Sequence, residues 1–348
     1  IERVGPASEV RIPTGYRTLT GKVVTPGLVD AHSVVGLAGY MNQPHEQDQL
    51  DRSNAIQPEL RAIDAYNARE RLVEWLREHG VTTVHTGHGP GALISGQTMI
   101  VKTRGENVEE AVVQPVTMVA MTLGPEVSRN YNSRPGTRAK GVAMLRAEFL
   151  KAQAYMEKKD AARDLKMETL AKVLRGEIPA LITAQRATEI LAALRLQQEF
   201  GFRLILDGAA EAYMVIDEIR AAGVPVILHP TMARHSGTLE NATLESARIL
   251  RDAGIPVALQ SGYEGYVPKT RVVLFEAAMA AAYGLPFEQA LATVTIDAAR
   301  ILGIADRVGS LEKGKDGDVA IFDGDPFEYT SRVCGVVIEG QVVSETCR

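Results

Sequence analysis

Four short apolar runs dominate the second half of the chain: Ile178–Ala184, Phe202–Gly208, Val224–Pro230 and Ile255–Ser261. Each is rich in Leu or β-branched residues and apolar at successive positions, as a strand buried on both faces of a parallel sheet must be. The segments between them carry helical spacing, with Ile190, Leu191, Leu194 and Leu196 in one and Met214, Ile216 and Ile219 in the next. Glu199-Phe-Gly-Phe202, Ala221-Ala-Gly-Val224 and Asp252-Ala-Gly-Ile255 each end a helix on glycine and enter a strand within a residue or two. Strand–helix alternation with such short returns predicts a parallel α/β protein.

The first half continues the pattern with longer loops. Val23–Asp30, Val81–Val84 and Val116–Leu123 read as strands, and residues 68–79 as a helix with Leu72, Val73 and Leu76 on one stripe. Residues 137–175 read as a long helical stretch broken near Lys159 and Asp160. From Gly309 the character changes. Asp318–Phe322, Val336–Ile338 and Gln341–Val343 are short alternating segments separated by turn signals at Asp323-Gly-Asp-Pro326 and Glu339-Gly340. Residues 1–24 share this β character. The expected architecture is a parallel α/β barrel over 24–306, flanked by a small β-domain from residues 1–23 plus 307–348. Any site should lie at the C-terminal ends of the barrel strands.

Composition narrows the function. The chain has 348 residues, 38 Lys and Arg against 43 Asp and Glu, and 45% apolar residues, which excludes a disordered chain. The mildly acidic balance argues against nucleic-acid or anionic-membrane surfaces, which call for a basic patch. No apolar run approaches the ~18 residues that would cross a bilayer, so a soluble protein without membrane insertion is expected. Ile1-Glu-Arg-Val4 reads as the interior of a strand, so the natural start and any signal peptide are expected upstream. The compartment, cytoplasmic or periplasmic/secreted, is left open. Cys334 and Cys347 form neither a disulfide framework nor a metal-binding cluster, and whether they pair is also open.

At Val24-Thr-Pro-Gly-Leu-Val-Asp-Ala-His-Ser33 the chain resembles the metal-dependent amidohydrolase superfamily, on its imidazolonepropionase-like side. Gly80–Val84, Ile94–Thr98, Ala290–Gly303 and Val308–Pro326 continue that pattern in order, so the resemblance covers nearly the whole chain. It implies a distorted TIM (β/α)8 barrel with a small β-sandwich from both chain ends. It also implies one or two Zn or other divalent ions that activate water to hydrolyse C–N bonds in cyclic amides, amino-purines, dipeptides and similar substrates.

The resemblance further implies six ligand positions, and this chain departs from most of them. The paired histidines after the first barrel strand fall on His32 and Val34, and the carboxylated lysine of the fourth strand on Ala120. The histidines of the fifth and sixth strands fall on Thr183 and Gly208, and the aspartate of the last strand on Gly262. A catalytic zinc needs about three protein ligands and an open water position. One imidazole and one neutral hydroxyl do not supply them. The expectation is a degenerate site on an intact scaffold, with no bound metal or other cofactor and no catalytic residue.

Other chemistry-bearing residues have both sharp and plain readings. His32, His85, His88, His229 and Glu264 all point toward one rim and form a candidate relocated metal site. Against it, a His-x-x-His spacing off a strand end does not fix both rings on one face. Thr183 and Asp207 are further candidates for the lining of the same pocket. Lys102 reads as a solvated or ion-paired strand residue rather than an acid–base partner of Asp207. His79 reads as a helix C-terminal residue meeting the dipole. Gly87-His-Gly-Pro-Gly91 lacks the Gly-Lys-Ser/Thr of a phosphate loop and reads as scaffold. No Gly-x-Ser-x-Gly elbow is present. Three functions follow: a non-catalytic subunit of a homo-oligomer, or of a hetero-oligomer with an active relative; a hydrolase with a relocated site; or a small-molecule binding protein. For the first, the helical segments Met144–Met156 and Met279–Tyr283 offer docking faces.

Overall fold

The computed structural model describes residues 1–229, 235–262 and 273–347. In chain order the strands are β1 (Val23–Pro26), β2 (Leu28–Ser33), β3 (Val81–Gly87), β4 (Ile94–Lys102), β5 (Val112–Gln114), β6 (Val119–Thr122) and β7 (Ala180–Ala184). They continue with β8 (Leu204–Gly208), β9 (Val226–Leu228), β10 (Val257–Leu259), β11 (Val319–Phe322), β12 (Val333–Ile338) and β13 (Gln341–Ser344). Eight of them form the barrel wall in the order β10-β9-β8-β7-β6-β4-β3-β2, with β5 attached to β4. A parallel bridge between Ser33 and Gly262 joins the two ends of that order. The expected distorted barrel is therefore present.

The wall departs from an all-parallel barrel at one strand. β4 runs antiparallel to both β3 and β6. The connection from Gly87 to Ile94 is too short for a crossover, which needs a dozen or more residues, so the chain turns back as a hairpin. The glycine-rich Gly87–Gly91 segment belongs to that turn, in keeping with its reading as scaffold. Helices Arg138–Glu157 and Leu165–Leu174 flank the break at Lys159 and Asp160. Gly201 and Gly223 end their helices in left-handed conformation, as the glycine signals predicted.

The small domain is a four-stranded antiparallel sheet, β1-β11-β12-β13, to which both parts of the chain contribute. Ala320, Phe322, Val333, Val336 and Ile338 form its core. Residues 1–22 contain no strand, so the strand expected at Ile1 is not formed. They still run to the C-terminal segment: the Ile1 ammonium donates to the Lys315 carbonyl at 2.6 Å. Cys334 and Cys347 are joined by a disulfide. Among the described residues no helix is long and apolar enough to cross a membrane.

Lys102 ties the two parts together. Its side chain is 2% exposed and pairs with Asp318, and with Asp316 at 3.1 Å. Because β4 runs backwards, Lys102 lies at the end of the barrel that faces the small sheet. The ion-paired reading holds, and Asp207 is not its partner.

Candidate active site

Strand periodicity builds the barrel interior. Val29, Ala31, Ile100, Met118, Leu181, Ile205, Ile227 and Ala258 form an apolar plug, floored by Ala298, Ala299 and Leu302. Side chains alternate along a strand, so the next inward layer lies two residues away. Counting on gives Ala120 after Met118, Thr183 after Leu181, Asp207 after Ile205, His229 after Ile227 and Gln260 after Ala258. On the antiparallel β4, counting back from Ile100 gives Thr98. His32 and His85 complete this polar layer above the plug, His32 at the end of the irregular β2.

Asp207 is its hub. The carboxylate is fully buried. Oδ1 lies 2.8 Å from His32 Nδ1 and accepts from Gln260 Nε2 at 2.7 Å, and Oδ2 accepts from Thr183 Oγ1 at 2.6 Å. Burial alone would raise its pKa, but His32 and the hydrogen bonds from His32, Thr183 and Gln260 outweigh it, and the carboxyl lies below its ordinary value. An ionised carboxylate only accepts, so His32 carries its proton on Nδ1.

His85 is also committed. Nδ1 lies 2.7 Å from the Ala31 carbonyl, which only accepts, so that nitrogen holds the proton. Burial first, then the neighbouring His32, pushes the His85 pKa down to about 3, so the ring is neutral. Its Nε2 is left as an acceptor for the Thr98 hydroxyl at 2.6 Å. The two imidazole rings lie 5.5 Å apart, centre to centre.

Asp30 closes the barrel seam. It accepts from the Ser261 backbone at 3.1 Å and from the Ser261 hydroxyl, linking the first and last wall strands. Burial raises its pKa to about 7 against those hydrogen bonds.

The structure distributes the expected ligand positions as follows. Ala120 and Thr183 face inward in the polar layer, and Val34 is buried just past β2. Gly208 and Gly262 have φ of 75° and 85°, the left-handed region that side chains disfavour. A Cβ at Gly208 would lie 2.5 Å from Gln185 Nε2, and one at Gly262 would lie 2.6 Å from His229 Nε2. Protein atoms therefore occupy the space at both positions. His229 faces Glu276, with 4.0 Å between Nδ1 and Oε1. His88 is buried at the wall of a cavity of about 950 Å³ at the barrel mouth, which Val34 also lines. Glu264 lies outside the described residues. Among the described residues no group of three or more His, Cys, Asp or Glu is arranged to hold a metal ion. Thr98 and Gln260 were missed from the sequence, although counting by twos from the plug finds both. His79 ends its helix as read, with Nδ1 2.7 Å from the Trp75 carbonyl.

An eight-stranded wall with one reversed strand, a small sheet from both chain parts and a polar layer at the strand ends define a distorted (β/α)8 scaffold. The amidohydrolase family profile matches residues 37–344, and the chain belongs to that family. It is similar to the crystal structure of an amidohydrolase from Thermotoga maritima MSB8, with a TM-score of 0.93 and 33% identity over 99% of this chain and 92% of that one. It is 26% identical over 348 residues to an imidazolonepropionase of Pseudomonas savastanoi pv. phaseolicola, covering 93% of this chain and 85% of that protein. It is 24% identical to amidohydrolase tasK of Hapsidospora irregularis over 96% of this chain, which spans 38% of that protein's length.

Proposed function

We propose that this chain is an amidohydrolase-fold protein that has given up metal-dependent hydrolysis and acts by association, with an active relative or with further copies of itself. The observation that supports this reading most directly is the Asp207 network. Where the family's chemistry calls for metal ligands, the described residues present one carboxylate whose oxygens already accept from His32, Thr183 and Gln260. The donor set does not fit a divalent ion. Val34, Ala120, Gly208 and Gly262 bring no donor, Thr183 brings a neutral hydroxyl, and both His85 nitrogens are engaged. That engagement also counts against a relocated site that needs His85.

Association has surface support. Leu150, Met156 and Leu165 are exposed on and beside helix Arg138–Glu157, and Phe275, Tyr283 and Phe287 on and beside helix Val273–Ala282. Met144, by contrast, packs against the core. A lasting complex would bury more than about 1,000 Å² in total.

Native mass spectrometry of the natural protein, with elemental analysis after dialysis, tests the proposal. Expected are an assembly larger than the monomer and Zn, Mn, Fe and Ni far below stoichiometric. Stoichiometric metal together with hydrolysis of a cyclic amide or dipeptide would sink the loss of chemistry. A partner-free monomer at micromolar concentration would sink the association role.

A further inference from the structure

The cavity of about 950 Å³ at the barrel mouth lies between the segment that follows β2 and the turn that follows β3. Its wall carries acceptors with nothing to accept from. Glu59 Oε2 and Gln49 Oε1 lack a hydrogen-bond partner, and the neutral imidazole of His88, 4% exposed, lies against the Gln49 backbone and keeps one ring nitrogen as an acceptor. Acceptors left unmatched in such a wall are costly, so a bound donor would be favoured there. Burial holds His88 neutral, with a pKa pushed down to about 4 despite the Gln49 backbone and the Asp48 and Asp51 carboxylates nearby.

The charges on the wall have one prevailing sign. Arg61 is held by Asp64 at 2.8 Å, so its charge is already matched. Asp51 takes its hydrogen bonds from Ser53 and Gln57 and remains a carboxylate facing the cavity, beside Asp48 and Glu59. Arg52 is the remaining cation of the wall. An anion would meet three carboxylates, and a neutral apolar molecule would leave every acceptor unmatched.

We infer that this cavity binds a small organic cation whose head carries several N–H donors, an alkylguanidinium or alkylammonium, placed among Glu59, Asp48, Gln49 and His88. The inference goes beyond the proposed function and does not depend on it, since binding here needs neither a metal nor hydrolysis. The volume lies within the range of ordinary small-molecule sites.

Calorimetric titration of the full chain at pH 7.5, in buffer with EDTA, tests it with propylguanidinium, butylammonium, butyramide and butyrate. The cations should bind saturably with a millimolar Kd, butyramide about tenfold more weakly, and butyrate not at all. Each buried charged hydrogen bond is worth about one such factor. Glu59→Gln keeps the shape and should weaken propylguanidinium about tenfold. Asp48→Asn, at an exposed position, should weaken it about threefold and covers the case in which Glu59→Gln does not fold. Butyrate binding as well as the cations, or unchanged affinity in the folded variants, would overturn the inference. So would displacement of propylguanidinium by equimolar Ca²⁺ in EDTA-free buffer, which would make the acidic wall a metal site.

Discussion

Placing the ligands that the family resemblance implies into this barrel should break the protein rather than create a metal site. The perturbation is the set Val34→His, Thr183→His, Gly208→His and Gly262→Asp. At Gly208 and Gly262 any side chain must adopt positive φ, which costs about 1–2 kcal/mol per residue. Each new Cβ must also displace a side chain, Gln185 at 2.5 Å or His229 at 2.6 Å. The half-buried Gln185 amide is the far end of a flexible side chain and can swing aside, whereas shifting the buried His229 ring costs about 1–3 kcal/mol. Gly208 should therefore lose about 1–2 kcal/mol and Gly262 about 2–5 kcal/mol. The two losses should not add simply, because the His229 backbone donates to the Gly208 carbonyl at 3.0 Å and His229 also packs over Gly262. Thr183→His removes a donor from Asp207 as well. Against a total stability of about 5–15 kcal/mol, the fourfold variant should be largely unfolded or molten at 37 °C. Urea unfolding followed by circular dichroism measures this, with Gly208→Ala and Gly262→Ala as controls that carry the backbone and Cβ terms alone. If both alanine variants lose less than about 0.5 kcal/mol, and the fourfold variant keeps wild-type stability and takes up stoichiometric zinc, the repacking argument is wrong.

Three further outcomes follow from the buried charges. Asp30 binds its proton more tightly folded (about 7) than unfolded (3.8), so its share of stability is full below the unfolded value and lost as pH rises through about 7. Asp30→Asn should thus be neutral near pH 4 and stabilising by up to about 4 kcal/mol at pH 8.5; equal effects at both pH values in thermal unfolding would refute this. His85 and His88, held at about 3 and about 4 against 6.5 unfolded, act oppositely. Their share is full above pH 6.5 and lost as pH falls through that value toward the folded ones, so a His85→Gln variant should lose less stability than wild type between pH 7 and 4. Lys102→Ala leaves Asp318 buried beside a void and should cost about 3–5 kcal/mol, whereas Lys102→Met together with Asp318→Leu should recover most of it in the same urea assay.

The alternation of apolar runs and glycine-ended helices was enough to place β7 to β10 and the helices between them, because those signals are local. The reversal of β4 was not read, although it too has a local cause in the short Gly87–Ile94 connection. Thr98 and Gln260 escaped for a different reason. A polar residue in an apolar strand looks like noise until the neighbouring strands are in register, and Gln260 meets Asp207 across 53 residues of chain. Gly208 and Gly262 show the limit most clearly. As letters they read as missing ligands, and only the structure shows that the Gln185 and His229 side chains lie where a Cβ would point.

The pairing of Lys102 with Asp318 also has a consequence in time. The two residues are 216 positions apart. At about 5–20 residues per second of synthesis, the ammonium at the end of β4 waits about 10–40 s on the ribosome before its carboxylate is made. During that interval the reversed strand cannot bury its end without stranding a charge, so water must stay at the base of the wall. The barrel strands are all translated by then, yet the wall is sealed only when the small sheet arrives. Nascent chains stalled between Leu259 and Asp316 hold every described wall strand but stay open at one end, within reach of chaperones and proteases.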